Sequence, residues 1–341
     1  MANQRFQNAL SRTPQAIPPI WFMRQAGRYH KHYQALRQTH SFMELCKNSA
    51  LAAEVALGPV EDFDFDLAIL FSDLLFPLEA MGMGLEYLPA PTLAWQVSDE
   101  TISRLRAPSE AIAGLMFQKD AMAATRARLP SSKSLIGFVG GPWTLFAYAV
   151  EGSHKGDLSQ AKRLIHLFKP FCEKLVPLLE QNIQLQLEGG AEVVMVLDTA
   201  AGELSPMMLT EQVDSTIGRL AKKFPGQLGY YAKGIQPAHL THPLFKERGV
   251  LGGLGFDHRW DMPTALKTQK LGFLQGNFDQ SLLFLKGPDF ESRARAYLAP
   301  IRHLSLEDRA GWISGLGHGV LQHTPEANVR RLVQLIREVM A

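Results

Sequence analysis

Near the start of the chain, Pro19-Ile-Trp-Phe-Met-Arg-Gln-Ala-Gly-Arg28 runs from an apolar stretch into two arginines. Planar guanidinium binds carboxylate or phosphate through two parallel hydrogen bonds. If the segment bends over a pocket, Gly27 permits the turn and both forks face inward. The alternative is a pair of solvated surface arginines. Further on, Phe71-Ser-Asp73 ends an apolar run. A carboxylate there can accept N–H bonds from a ligand or stabilise a developing cation, or it can simply cap the next helix. Gly137-Phe-Val-Gly-Gly-Pro-Trp143-Thr-Leu-Phe-Ala-Tyr148 puts a phenol one turn into a helix that follows a glycine-rich bend. A phenol so placed either packs or faces a site. Leu316-Gly-His318-Gly leaves an imidazole between two glycines, open to a close-lying ligand and able to exchange protons near neutral pH, or else buried against a carbonyl.

Metal and covalent chemistry find less support. His239 and His242 have no third ligand near them in the sequence, and there is no His-Glu-x-x-His, Cys-x-x-Cys or Gly-x-Ser-x-Gly pattern. No metal site is expected.

The elements that must position these groups recur along the chain as a short apolar run, a polar or glycine-rich turn and a helical pattern. The runs are Pro19 to Met23, Leu67 to Phe71, Leu135 to Val139, Val193 to Leu197, Leu228 to Tyr231, Val250 to Phe256, Leu271 to Leu274 and Trp312 to Ser314. Between them, stripes such as Leu164, Leu167, Phe168 and Phe171 have helical spacing. Thr324-Pro325 reads as an N-cap and first-turn proline before a helix with Val329, Leu332, Val333, Ile336 and Val339 on one face. Apolar strands alternating with helices indicate a parallel sheet covered on both faces. Eight such units predict a closed (β/α)8 TIM barrel, a single domain over 1–341. No glycine-rich dinucleotide fingerprint follows the first strand, which weighs against an open doubly wound sheet.

A barrel places its chemistry at the carboxyl ends of its strands. Those ends carry Arg24 and Arg28, Asp73, the loop to Tyr148, Asp198-Thr199, Lys233, Asp257, Asn277 with Asp279, and His318. Such a mouth suits a small anionic substrate better than a flat protein partner.

Composition agrees. The 341 residues are 46% hydrophobic, enough for a large core. Thirty-five basic against 33 acidic side chains leave a net charge of +2, too little to attract nucleic acid or an anionic membrane, so an anionic ligand needs local cations. Two cysteines, Cys46 and Cys172, fit a reducing compartment. The first residues have neither signal-peptide nor transit-peptide character, and no apolar run approaches the ~20 residues of a membrane helix, so a cytoplasmic protein is expected.

Taken together, the Pro19–Arg28 and Gly137–Gly152 segments resemble the uroporphyrinogen decarboxylase family. Shorter matches run through Glu44-Leu-Cys, Leu51-Ala-Ala-Glu-Val, Ile69-Leu-Phe-Ser-Asp73, Ala80-Met-Gly-Met-Gly-Leu, Leu274-Gln-Gly-Asn-Phe-Asp279 and Leu316-Gly-His-Gly. The resemblance implies a (β/α)8 barrel and a homodimer with facing clefts. It implies a cofactor-independent carboxy-lyase that converts the four acetates of uroporphyrinogen III, a tetrapyrrole, to methyls, giving coproporphyrinogen III and carbon dioxide.

By match, Asp73 accepts the pyrrole N–H bonds and stabilises the cation. Arg24 holds a carboxylate and is a proposed proton donor, while Tyr148 and His318 complete the catalytic group. The implied substrate-binding set adds Gln25, Arg28, Arg37, Phe71 and Thr199. This chain departs from the family at His30-Lys31-His32, at Thr199 in place of serine, at Ala200 in place of an aromatic and at His258 in place of tryptophan. Two rival readings are a zinc-dependent corrinoid methyltransferase of the same superfamily and a tetrapyrrole-binding protein without turnover.

Overall fold

The computed structural model describes residues 2–87 and 90–341. Strands β1 Leu67–Ile69, β2 Leu85–Tyr87, β3 Pro91–Leu93, β4 Ser134–Gly140, β5 Val193–Leu197, β6 Leu228–Tyr231, β7 Gly253–Gly255, β8 Phe273–Phe278 and β9 Trp312–Leu316 alternate with helices. β2 and β3 form an antiparallel hairpin. The other strands make one parallel seven-stranded sheet in the order β1-β4-β5-β6-β7-β8-β9, a curled α/β architecture.

Parallel strands buried on both sides need apolar residues at every position, and these have them. In β5, Val193, Met195 and Leu197 face an inner core with Trp21, Ile69, Ile136, Phe273 and Ile313. Val194 and Val196 alternate outward into the layer shared with the helices. The long helix Phe168–Glu188 buries Phe168, Phe171, Leu175, Leu178 and Leu179. Pro170 does not interrupt it, because a first-turn residue has no intrahelical N–H bond to lose.

The first predicted strand departs from expectation. Pro19–Met23 lies between the sheet edges β1 and β9 but forms only one parallel bridge, Ile20 to Ser314. Trp21 N–H donates to Ser314 O at 3.1 Å, and Ser314 N–H donates to Pro19 O at 2.9 Å. On the other side Asp66 N–H donates to Ile20 O, while Ile20 N–H turns to the Asp66 carboxylate at 2.9 Å. Pro18 and Pro19 have no N–H to extend a ladder, and Arg24 adopts a left-handed φ of 58° that ends the extended run.

The carboxyl-terminal helix is Glu326–Met340, one residue later than the proline pattern indicates. Thr324 is buried with its hydroxyl unpartnered, so it does not act as the N-cap. Val329, Leu332, Val333 and Ile336 are buried as the spacing predicts.

Candidate active site

At the carboxyl ends of β1, β4, β5 and β9 the sheet opens into a cleft of about 950 Å³, counted to its mouth. Its wall is mostly apolar with a few polar and charged groups among the lining residues, the composition of a small-molecule site. Arg24, Phe71, Asp73, Tyr148, Thr199 and His318 all line it. Five segments far apart in sequence are therefore brought to one cleft.

Asp73 stands just beyond β1. One of its oxygens accepts the Leu75 N–H at 2.9 Å, which braces the turn before the helix Phe76–Ala80. Leu75 is the N-cap of that helix and no side chain caps it, so the capping reading of Asp73 does not hold. Burial raises its pKa; the Leu75 N–H, the Tyr87 phenol and the nearby Arg24 charge oppose that rise. The result is a carboxylate held in a poorly solvated place, with cationic help on one side.

Tyr148 is delivered by the helix Pro142–Glu151, whose start is fixed by Asp198 at the end of β5. The Asp198 carboxylate accepts both the backbone N–H and the hydroxyl of Thr144, each at 2.7 Å. The Thr144 hydroxyl oxygen in turn accepts the Ala200 N–H at 2.9 Å, tying the Thr199 loop to the same helix. Burial pushes the Asp198 carboxyl up to about 6, against these hydrogen bonds. Burial and Asp73 push the Tyr148 phenol up to about 12, so it stays protonated at neutral pH.

His318 corrects one expectation. Tyr231 Oη donates to Gly317 O at 2.9 Å and lies 3.0 Å from His318 Nδ1. With its one proton spent on the carbonyl, the phenol oxygen is left to accept from Nδ1–H, which makes Nε2 the acceptor. Burial, Arg24, Lys233, His154 and His258 push the imidazole down to about 3, so it is neutral and does not exchange protons near pH 7. The flanking glycines also serve the protein rather than a ligand. A Cβ on Gly317 would meet His258 N at 2.4 Å, and one on Gly319 would meet Arg24 Cδ at 2.5 Å.

This shift has a measurable sign. Below pH 6.5 the unfolded chain takes up a proton at His318 that the folded chain refuses, so stability falls as pH drops towards 3. The loss from this group is about 2 kcal/mol at pH 5. Urea unfolding at pH 7.5 and pH 5.0 should therefore show a smaller acid loss in His318→Gln than in the natural protein. Equal losses would assign the acid sensitivity to other groups.

The arginines separate. Arg24 reaches the cleft, whereas Arg28 and Arg37 line a neighbouring groove with Tyr33, Gln34, Gln38, Gln322 and His323. The two forks of the Arg24–Arg28 pair thus do not share one pocket, because the chain turns between them at Gly27. Gln25 is fully buried; its amide donates to Leu67 O at 2.9 Å, so it braces the loop against β1 and does not line the cleft. Of the other strand-end residues, Asp257 accepts Gly234 N–H at 2.6 Å, Asn277 donates to Asp257 O and Trp260 O, and Asp279 caps Ser281. These tie loops together.

Sequence reasoning passed over His154 and Tyr231. His154 lines the cleft with Nδ1 2.6 Å from Tyr148 Oη. Its signal was present, since Gly152-Ser-His154-Lys-Gly156 sets an imidazole among glycines much as at His318. Tyr231 ends an apolar run and reads as core, and only the sheet register aims its hydroxyl at His318.

Among the described residues no cluster of three or more His, Cys, Asp or Glu side chains could hold a metal ion. Cys46 and Cys172 are both buried, neither lines the cleft, and burial pushes both thiols up.

Comparison with known proteins addresses the whole chain. Residues 1–339 match the family model described as Uroporphyrinogen decarboxylase (URO-D). A uroporphyrinogen decarboxylase of Helicobacter hepaticus is 36% identical, covering 98% of this chain and 98% of its own. One from Koribacter versatilis is 33% identical over 98% of this chain and 96% of its own. Among solved structures, a methyltransferase from Methanosarcina mazei superposes with a TM-score of 0.76 at 19% identity, covering 99% of both chains. A putative vitamin-B12-independent methionine synthase from Listeria monocytogenes gives 0.56 at 13% identity, covering 96% of this chain and 98% of its own. Those two likenesses concern the fold alone, while the full-length sequence match decides kinship: the chain belongs to the uroporphyrinogen decarboxylase family.

Proposed function

We propose that this protein decarboxylates the four acetate side chains of uroporphyrinogen III, giving coproporphyrinogen III and four molecules of carbon dioxide. The observation that carries the reading is the poorly solvated Asp73 carboxylate facing the same cleft as Arg24 and Tyr148. A pyrrole acetate releases carbon dioxide once its ring carbon is protonated, because the ring cation accepts the electron pair of the breaking C–C bond. The exocyclic methylene so formed takes a proton to become methyl, and the ring carbon returns its own. Each acetate therefore consumes one proton overall.

Asp73 accepts the pyrrole N–H bonds and stabilises the ring cation, an interaction strongest when charge develops. Arg24 holds a substrate carboxylate. Arg28 and Arg37, in the adjoining groove, suit carboxylates farther out on the macrocycle. Phe71 and Thr199 line the wall, and neutral His318 offers its Nε2 as an acceptor. No metal or organic cofactor takes part, since the substrate ring is the electron sink.

The same reading includes a single (β/α)8 barrel over 1–341. Pro19–Met23 serves as its eighth stave, supported by its hydrogen bonds to both sheet edges. It also includes a homodimer in the cytoplasm, with a small-molecule tetrapyrrole substrate and neither nucleic acid nor membrane as partner. No described helix is long and apolar enough to cross a membrane. The corrinoid methyltransferase reading is disfavoured by the two cysteines, which are buried away from the cleft.

The test incubates purified protein anaerobically with uroporphyrinogen III and counts carboxylates on the oxidised products. Conversion from eight carboxylates to four is expected. Unchanged eight-carboxylate porphyrin from correctly folded protein would favour a binding protein without turnover.

A further inference from the structure

Beside Tyr148 stands an imidazole that the chemistry above does not use. His154 Nδ1 is 2.6 Å from Tyr148 Oη, and the rings lie 5.0 Å apart at 45°. Both side chains line the cleft with Arg24 and Asp73. His154 sits on the short loop after the Tyr148 helix, between Gly152 and Gly156, both in left-handed backbone conformations that let the loop fold back over its own helix. The charged groups acting on it are Arg24, Lys233 after β6, and Lys155 on its own loop; with burial they keep the imidazole neutral.

A neutral imidazole meets a phenol in one of two ways. Either Nδ1 accepts the phenol proton, which turns Tyr148 O–H away from the substrate, or Nδ1–H donates to Oη and leaves O–H facing the cleft. Into this cleft comes an anionic acetate, which needs a donor. The second arrangement gives a chain from Nδ1–H to Oη–H to carboxylate, in which each bond polarises the next. Arg24, which lines the same cleft, already supplies a cation for the acetate.

We propose that His154 is a positioning residue for the known reaction of this family: it holds the Tyr148 hydroxyl, by an Nδ1–H donation, aimed at the substrate acetate. The proposal rests on the decarboxylase reading, and turnover by the natural protein is the control that separates a failure of one from a failure of the other.

The test has two arms. In the first, His154→Leu should lower kcat about tenfold, the worth of one hydrogen bond to a polar group, with KM within about twofold. His154→Asn, which keeps an amide donor near the Nδ1 position, should recover most of that loss. In a Tyr148→Phe background, His154→Leu should cost less than about twofold, since its target is already gone. An unchanged kcat in His154→Leu, or an equal loss in both backgrounds, would overturn the proposal.

The second arm does not depend on activity. Long-range proton–nitrogen NMR of the natural protein labelled at histidine nitrogen should show His154 as the Nδ1–H tautomer, its signals assigned by their loss in His154→Asn. An Nε2–H tautomer would equally overturn it.

Discussion

Asp73→Asn should lose turnover by about a thousandfold while keeping its fold and much of its substrate affinity. Asparagine keeps an acceptor oxygen for the Leu75 N–H, which Asp73 holds at 2.9 Å, so the turn before the next helix survives. It lacks the negative charge that stabilises a pyrrole cation in a cleft where water screens poorly. Preorganised groups of that kind are worth about 10²–10³ in kcat when one is removed. The loss should fall on kcat, because the charge matters most at the transition state. Asp73→Ala would confuse the two roles, since it also removes the turn hydrogen bond to Leu75, worth about 1 kcal/mol of stability. Steady-state assays beside a urea titration separate the effects. Near-natural kcat in Asp73→Asn would remove the carboxylate from the mechanism.

Gly141→Ala should produce the largest loss of stability, more than about 3 kcal/mol, and little folded protein. A Cβ at Gly141 would stand 2.2 Å from the Cβ of Asp198 and 2.5 Å from its Cα. The second of these is backbone and cannot rotate aside. Relief requires β5 and the helix Pro142–Glu151 to part, which breaks the Asp198 bonds to Thr144 and the Thr144 bond to Ala200. Asp198 is then a buried carboxylate without its donors, among the costliest arrangements a protein can hold. Denaturant midpoints and soluble yield measure this directly. Gly156→Ala is the control for the glycine substitution itself, for a Cβ there meets nothing within 4 Å and only the left-handed φ of 79° is strained. Stability equal to that of the control would show that the strand–helix junction yields more easily than its contacts imply.

Much of the fold was legible in the sequence because a doubly covered parallel strand must be apolar at every position. Val193 to Leu197 could be assigned on that ground alone, and it forms β5 at those bounds. The Pro19–Met23 segment has the same apolar character, yet its hydrogen bonds are settled by the two prolines before Ile20 and by Asp66. Apolar content reports burial; a ladder also needs donors in register. Thr324 failed for a related reason. Capping depends on backbone direction at one residue, which residue type constrains only loosely.

At the site, residue types declared which groups have chemistry but not their state or their neighbours. Asp73 stood out as a carboxylate ending an apolar run, and it lines the cleft. Gln25 looked equally exposed to function within the arginine segment, yet it turns inward to Leu67. The difference is one of side-chain direction in an irregular loop, where no period of two or 3.6 governs it. The glycines beside His318 announced a close approach and not what approached.

By itself, then, the sequence determined kinship, the alternation of strand and helix, and the types of group available: two long signatures and the apolar runs are local patterns that survive without coordinates. Only the tertiary structure decided that Arg24 enters the cleft while Arg28 joins Arg37 outside it, that His318 is neutral against Tyr231, and that His154 meets Tyr148. The physical reason is range. Hydrophobic periodicity and backbone preference act between near neighbours, whereas a side chain's charge and its hydrogen bonds depend on groups such as Arg24 and Lys233, brought close only when the sheet curls.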